Sequence, residues 1–130
     1  MIFRYSLRTD SEGFYNVTSK VSDAVKESGI KDGICLVFCT HTTAGMTINE
    51  NADPDVASDI LFAFNKIFPQ RPEFRHAEGN TPAHLKASFV GSSVSVIIEN
   101  GNLVLGTWQG IYFCEFDGPR NRNFIVKVCS

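Results

Sequence analysis

Strand-like runs follow one another in this sequence instead of alternating with helices, and that order is the strongest limit on what it can fold into. Residues 94–99, 103–107, 111–116 and 124–129 are β-favouring runs separated by an Asn100-Gly101 hairpin pair and a Gly-Pro turn. These last four strands are expected to form a meander. Upstream, Phe3, Tyr5 and Leu7 alternate with Arg4, Ser6 and Arg8, as in a strand with one buried face. A second strand is expected near residues 14–18. Residues 34–39 (ICLVFC) are apolar throughout, which predicts a central strand covered on both faces. With about seven strands and three short helices, the fold class is α+β, a single domain on a mainly antiparallel sheet.

The helices announce themselves by their ends. Thr18 or Ser19 can cap a first helix whose stripe is Val21, Ala24, Val25 and Ser28, with Gly29 as its left-handed stop. Asp53-Pro54 supplies a cap and a first-turn proline, and Val56, Ile60, Phe64 and Ile67 recur at helical spacing. A third helix starts at Asn80 or Thr81 with Pro82, runs through Phe89 and ends at Gly91, with His84 in its first or second turn.

The 130 residues and 14.4 kDa hold one domain. With 43% hydrophobic and 20% charged residues, a disordered or coiled-coil chain is excluded. Twelve Lys and Arg against fourteen Asp and Glu give a net charge of −2 without a basic block, so no nucleic-acid partner is expected. The start, MIFRYSLRTD, lacks the basic and then long apolar layout of a signal peptide, and no long apolar run suggests a membrane partner, so a cytoplasmic location is expected. Cys35, Cys39, Cys114 and Cys129 lie in strand-like runs with no CxxC pair, which predicts buried, reduced thiols. Sheet edges in so small a domain favour covering by self-association.

Three segments carry ionisable groups that no amphipathic pattern requires: HTTAGMTINENADPD, HAEGNTPAHLK and LGTWQGIYFCEFDGPRNR. All three histidines, His41, His76 and His84, fall in the first two. Each could be a satisfied polar side chain, yet all three sit at element ends, where they could face one cleft. Three neutral imidazoles with an open position suit a divalent metal, zinc first and magnesium as the alternative, with Glu78 to move a proton on bound water. Asp53 and Asp55 are assigned to capping and the first turn of the second helix. Asn49, Glu50 and Asn51 have no such role and could orient a polar substrate. Thr42 and Thr43 offer hydroxyls in a flexible segment, and Arg120 and Arg122 offer guanidiniums for phosphate or carboxylate, Arg122 being equally readable as a solvated turn residue. Trp108, between two glycines, reads as a core or subunit-interface anchor.

The strings HTTAGMTINENADPDV, HAEGNTPAHLKAS and GTWQGIYFCEFDGPR, in this order, resemble the YjbQ family, also labelled secondary thiamine-phosphate synthase. The resemblance spans almost the whole chain. It implies an antiparallel β-sandwich assembled as a homotrimer, with a cleft near subunit boundaries. It further implies a metal site on His41, His76 and His84, with Glu78 and Asn80 close by, and it matches Gly118 and Arg120 to the glycine and basic residue of the last string. The activity it implies is a transferase joining hydroxymethylpyrimidine diphosphate to thiazole phosphate. Two functional expectations follow. One is a metal-assisted enzyme on a small phosphorylated or anionic metabolite, with His41 and Glu78 catalytic and Thr42, Thr43, Asn49, Glu50, Asn80 and Arg120 binding substrate. The other is a non-catalytic trimeric module that binds a small ligand or a metal.

Overall fold

The computed structural model describes residues 1–130. In chain order its elements are β1 (Ile2–Thr9), β2 (Gly13–Asn16), α1 (Thr18–Ser28), β3 (Asp32–Cys39), β4 (Ala44–Glu50), α2 (Pro54–Ile67), α3 (Thr81–Val90), β5 (Ser93–Glu99), β6 (Asn102–Leu103), β7 (Gln109–Glu115) and β8 (Arg120–Cys129). They form a five-stranded sheet, β1-β8-β3-β5-β6, and a three-stranded sheet, β2-β7-β4, with every pairing antiparallel. The α+β class, the mainly antiparallel sandwich and the three helices are as the sequence leads one to expect.

Alternation decides which side chains meet. On the large sheet Phe124, Val126 and Val128 of β8, Cys35, Val37 and Cys39 of β3, and Val96 and Ile98 of β5 all point inward. They pack against Met46, Ile111 and Phe113 of the small sheet, and α1 closes the core with Val21, Ala24 and Val25. Each such large side chain removed from water contributes about 1.5–3 kcal/mol. The opposite face of β7 carries Tyr112 and Cys114, and with Phe116 these form a second cluster against Ala83 and Ala87 of α3, with Leu61 and Phe64 of α2 alongside. From one side to the other the layers are therefore large sheet, core with α1, small sheet, and the α2–α3 pair.

Several expectations need correcting. The strand covered on both faces is β7, which runs through the middle layer; β3 buries only Cys35, Val37 and Cys39 and leaves Ile34, Leu36 and Phe38 exposed. The last strands form no meander: β5 and β6 make a hairpin, β7 crosses to the other sheet, and β8 returns between β1 and β3. β4 was masked by its polar residues, although Ala44, Met46 and Ile48 alternate on its core side. Neither Thr18 nor Ser19 caps α1; the Asn16 side chain accepts from the Thr18 N–H at 3.0 Å and from its hydroxyl at 2.7 Å. Ile67 turns away from the α2 stripe and is exposed, with Phe68 taking its place against Phe64. Trp108 is 63% exposed and is no core anchor. Of the four free thiols, Cys129 is exposed. No helix is long and apolar enough to cross a membrane.

Two contacts fix the helical layer. Gly91, just after α3, accepts from the Met46 N–H of β4 at 3.1 Å, and a Cβ on Gly45 would come within 2.5 Å of that carbonyl oxygen. Only glycine lets α3 end so close to the sheet. α2 has no fully buried residue, and polar ties supplement its apolar contacts: Lys86 of α3, itself buried, donates to Glu12 Oε2 at 2.7 Å and to Asn65 Oδ1 of α2, while Asn65 Nδ2 donates to Glu12 Oε1 at 2.9 Å. Lys86→Met keeps the stem but leaves Asn65 and Glu12 without their shared cation. It should speed amide hydrogen exchange across α2 while leaving β3, β7 and β8 protected, at a cost of about 1–3 kcal/mol in urea unfolding.

Candidate functional site

At one end of the sandwich the inward rows of three strands finish in polar residues. Phe3, Tyr5 and Leu7 of β1 lead to Thr9; Ile111 and Phe113 of β7 lead to Glu115; and, read backwards along β8, Val128, Val126 and Phe124 lead to Arg122. Arg122 is 4% exposed and Glu115 is fully buried. Their ion pair is bidentate: Arg122 Nε donates to Glu115 Oε1 at 2.7 Å and Nη2 donates to Oε2. Thr9 Oγ1 donates to Glu115 Oε1 at 2.7 Å, the Asp117 N–H donates to Oε2 at 2.8 Å, and Arg122 Nη2 also donates to Thr43 Oγ1 at 2.9 Å. Burial works to raise the Glu115 pKa, but the hydrogen bonds from Arg122, Thr9 and the Asp117 N–H outweigh it and hold the carboxyl below its ordinary value.

Above this pair lies a cavity of about 310 Å³ with no apolar residue in its lining, bordered by His41, Glu78, His84, Arg120 and Arg122 among others. It shares His41, Thr42 and His84 with an adjoining hollow of about 520 Å³ that runs towards Ser88 and Ser92, so the two form one groove. Chain order explains the gathering: β3 delivers Thr40 to Thr43, the first turn of α3 delivers His84, and the turn into β8 delivers Arg120. Arg120 Nη2 donates to Asp117 Oδ2 at 2.8 Å and its Nε to the Asp117 carbonyl at 2.8 Å; Asn80 Nδ2 reaches the same Oδ2 at 2.8 Å. Burial works to raise the Asp117 pKa, and these bonds from Asn80 and Arg120 bring it below the ordinary value.

His41 Nε2 accepts the backbone N–H of Asn123 at 2.9 Å. That bond puts the ring proton on Nδ1. Burial, then the positive charge of Arg122, pushes its pKa below 6.5, so the ring is neutral at neutral pH. His76 and His84 meet edge to face with centroids 5.2 Å apart. Nowhere do three or more His, Cys, Asp or Glu side chains gather closely enough to hold a metal ion. Within one chain the expected His41, His76 and His84 ligand set is not assembled: His41 has its Nε2 lone pair occupied and a proton on its other nitrogen, and His76 and His84 meet without a third donor.

The groove brings together His41, Thr42, Thr43, Glu78, Asn80, His84 and Arg120, all of them singled out in the sequence. It does not include Asn49 and Glu50. They sit at the far end of β4, roughly 20 Å along the strand from Ala44, beside Trp108 and Gln109. Asn49 Oδ1 accepts the Glu50 N–H at 2.7 Å and Glu50 Oε2 accepts the Ala52 N–H at 2.8 Å, so both side chains finish a strand end. Asp53 accepts from the Asp55 N–H at 2.9 Å as an N-cap should. Sequence reasoning missed Glu115 and Thr9 and misjudged Arg122. Extending the period-two pattern of residues 124–128 back by two places would have set Arg122 on the core side.

The family described as UPF0047 protein YjbQ-like matches residues 4–130. UPF0047 protein YugU of Bacillus subtilis (strain 168) is 54% identical over 121 residues, covering 92% of each chain. A crystal structure of an uncharacterized conserved YjbQ/UPF0047 protein from Clostridium acetobutylicum is 58% identical, covers 98% of this chain and 99% of its own, and superposes with a TM-score of 0.96. A YbjQ-like protein of unknown function from Sulfolobus solfataricus P2 is 32% identical, with a TM-score of 0.89 over 98% of this chain and 96% of its own.

These matches correct the functional expectation. The relatives belong to an uncharacterised family and carry no thiamine-phosphate synthase activity in their descriptions, and metal-assisted catalysis has no support in them. Charge agrees. Arg122 and Arg120, the two cations of the lining, are already paired with Glu115 and Asp117 behind it, and Glu78 adds a carboxylate to the lining itself, so the site holds no excess of cations, a poor match for a diphosphate.

Glu115→Gln leaves a buried guanidinium without its counterion and should cost about 3–5 kcal/mol in urea unfolding. Replacing both partners, as in Glu115→Met with Arg122→Met, should cost less than the single change, because no buried charge then remains. The lowered carboxyl pKa implies stability that is complete above the ordinary value of 4.5 and lost as pH falls through the lower folded-state value. Wild type should accordingly lose more stability on acidification than Glu115→Gln; equal losses would show that Glu115 is not the group responsible.

Proposed function

We propose that this chain, which belongs to the UPF0047 YjbQ-like family, binds a small polar molecule with a single anionic group in the His41–His84 groove, using protein groups alone. One observation carries this reading: Arg122 lines the groove although nearly all of its surface is buried, and its Nη1 has no hydrogen-bond partner in the protein. A guanidinium fixed by Glu115 and Thr43 has little freedom left to lose, so an oxygen atom meeting Nη1 gains a charge-assisted bond without paying to order the side chain. Arg120 Nη1, the Nδ1–H of His41 and the Thr42 hydroxyl are further donors around the same space. A volume near 310 Å³ lies at the lower end of the range for ligand cavities, roughly 300–1,000 Å³, which limits the occupant to a small metabolite. Lactate, as a probe with one carboxylate, should raise the melting temperature in a saturable way, and Arg120→Gln should weaken it about tenfold. Pyrophosphate binding more tightly than lactate, or no response to lactate or any other monocarboxylate, would overturn the reading.

The same proposal includes a closed homo-oligomer, a trimer as the family resemblance implies, in a cytoplasmic setting suited to the buried free thiols Cys35, Cys39 and Cys114. A monomer of this mass exposes roughly 6,800 Å². This chain alone exposes 7416 Å². Part of that surface is an apolar row on the outer face of the large sheet: Ile34, Leu36 and Phe38 of β3, with Ile97 opposite Ile34 and Ile2 at the edge. Polar residues such as Arg4, Ser93 and Ser95 border it, the core-and-rim pattern of a subunit contact. Light scattering should give three times the 14.4 kDa chain mass, and Leu36→Asp with Phe38→Asp should return it to a single chain. A monomeric wild type would sink this part of the proposal.

A further inference from the structure

The anion-binding reading leaves one wall of the groove unexplained. Glu78 precedes the Gly79 turn into α3 and lines the cavity that Arg120 and Arg122 also line. It makes no ion pair: the four salt bridges of the chain join Arg71 to Glu73, Lys86 to Glu12, Arg120 to Asp117, and Arg122 to Glu115. Its one side-chain hydrogen bond is a long one, from Asn80 Nδ2 at 3.3 Å, and that donor is already committed to Asp117 Oδ2 at 2.8 Å. The charge of Glu78 is felt at Arg120, but the two make no ion pair. Arg120 has its Nε and Nη2 on Asp117, and Arg122 is locked to Glu115. The groove is thus lined by two guanidiniums, each already paired with a carboxylate behind the lining, and by one carboxylate in no ion pair.

We infer that the ligand of this groove is a zwitterion, a small amino acid or a close relative, whose carboxylate meets the Nη1 edges of Arg122 and Arg120 while its ammonium meets Glu78. This rests on the anion-binding reading above and makes it more specific. A simple anion satisfies the guanidiniums but sets a second negative charge near Glu78. A simple amine satisfies Glu78 but leaves Arg122 Nη1 unpaired. A molecule carrying both charges a few bonds apart satisfies both and leaves the total charge of the groove unchanged, so it need not import a counterion. Glu78 is exposed and its surroundings open, which gives the ammonium a path in from solvent.

The test compares matched pairs that differ only in ammonium against hydroxyl: glycine with glycolate, L-alanine with L-lactate, and L-serine with L-glycerate. Binding is read by calorimetry and by melting temperature at millimolar concentrations. In at least one pair the amino acid should bind about tenfold more tightly than the hydroxy acid, and Glu78→Gln should remove that advantage by weakening the amino acid while the hydroxy acid binds no less tightly than to wild type. Equal affinities within every pair would overturn the zwitterion assignment and leave the anion-binding reading standing. No binding by any of the six would overturn both. An amino-acid preference that survives Glu78→Gln would overturn the role given to Glu78, and with it this inference.

Discussion

A buried ion pair governs this fold's working end. Taking a guanidinium and a carboxylate out of water costs several kcal/mol per ion, and only good geometry returns it. Here the return comes from the bidentate contact itself, from Thr9 and the Asp117 N–H on the carboxylate, and from Thr43 on the guanidinium. These partners come from β1, from β7 and the turn after it, from β8 and from the segment before β4, so the pair also fixes how both sheets finish relative to one another. The same residues at an ordinary sandwich end would be leucines or valines. That end would be closed and dry, whereas the Arg122–Glu115 pair presents one guanidinium edge to a groove from a support that cannot relax.

The consequences spread outward from that pair. Burial, and after it the nearby charge of Arg122, disfavours a positive charge on His41, so His41 remains a neutral donor through Nδ1. The bond between His41 Nε2 and Asn123 N–H continues the β3–β8 ladder by one side chain beyond Cys39 and Phe124. His84 is held opposite because α3 ends on β4 at the Gly91–Gly45 contact and Lys86 ties the same helix to α2. The groove is accordingly framed by two rigid elements, and its polarity follows from where strand alternation runs out.

Much of this was legible in the sequence, for a definite reason. Helix ends were readable because Asp53-Pro54, Pro82, Gly29 and Gly91 act locally, through caps, fixed φ and left-handed turns. Segments such as HAEGN and DGPR were readable as site material because ionisable groups there serve no amphipathic face. What could not be read depends on partners distant in the chain. Whether β3 or β7 lies in the middle layer is decided by which sheet each joins, and of the two the exposed-faced β3 carries the longer apolar run, ICLVFC against IYFC. Arg122 looked like a turn residue because its partner Glu115 lies across a turn from it on another sheet. The histidines share a residue type with metal sites, but whether a nitrogen is free depends on its hydrogen bond, and the bond to Asn123 is a tertiary fact.

The charge balance of the groove separates the chemistries open to it. Within one chain a metal would need imidazole lone pairs that His41 does not offer and a third donor beside His76 and His84. A diphosphate would need cations in excess, yet each guanidinium already answers a carboxylate. What remains usable is directional: the outer edge of a fixed guanidinium, the Nδ1–H of a neutral ring, hydroxyls from Thr42 and Thr43, and one carboxylate without a partner. Such a surface discriminates by the arrangement of charge within a small molecule more than by its total. Selectivity then arises because a ligand of the wrong pattern leaves either the Nη1 of the nearly buried Arg122 without a partner or a like charge set against Glu78.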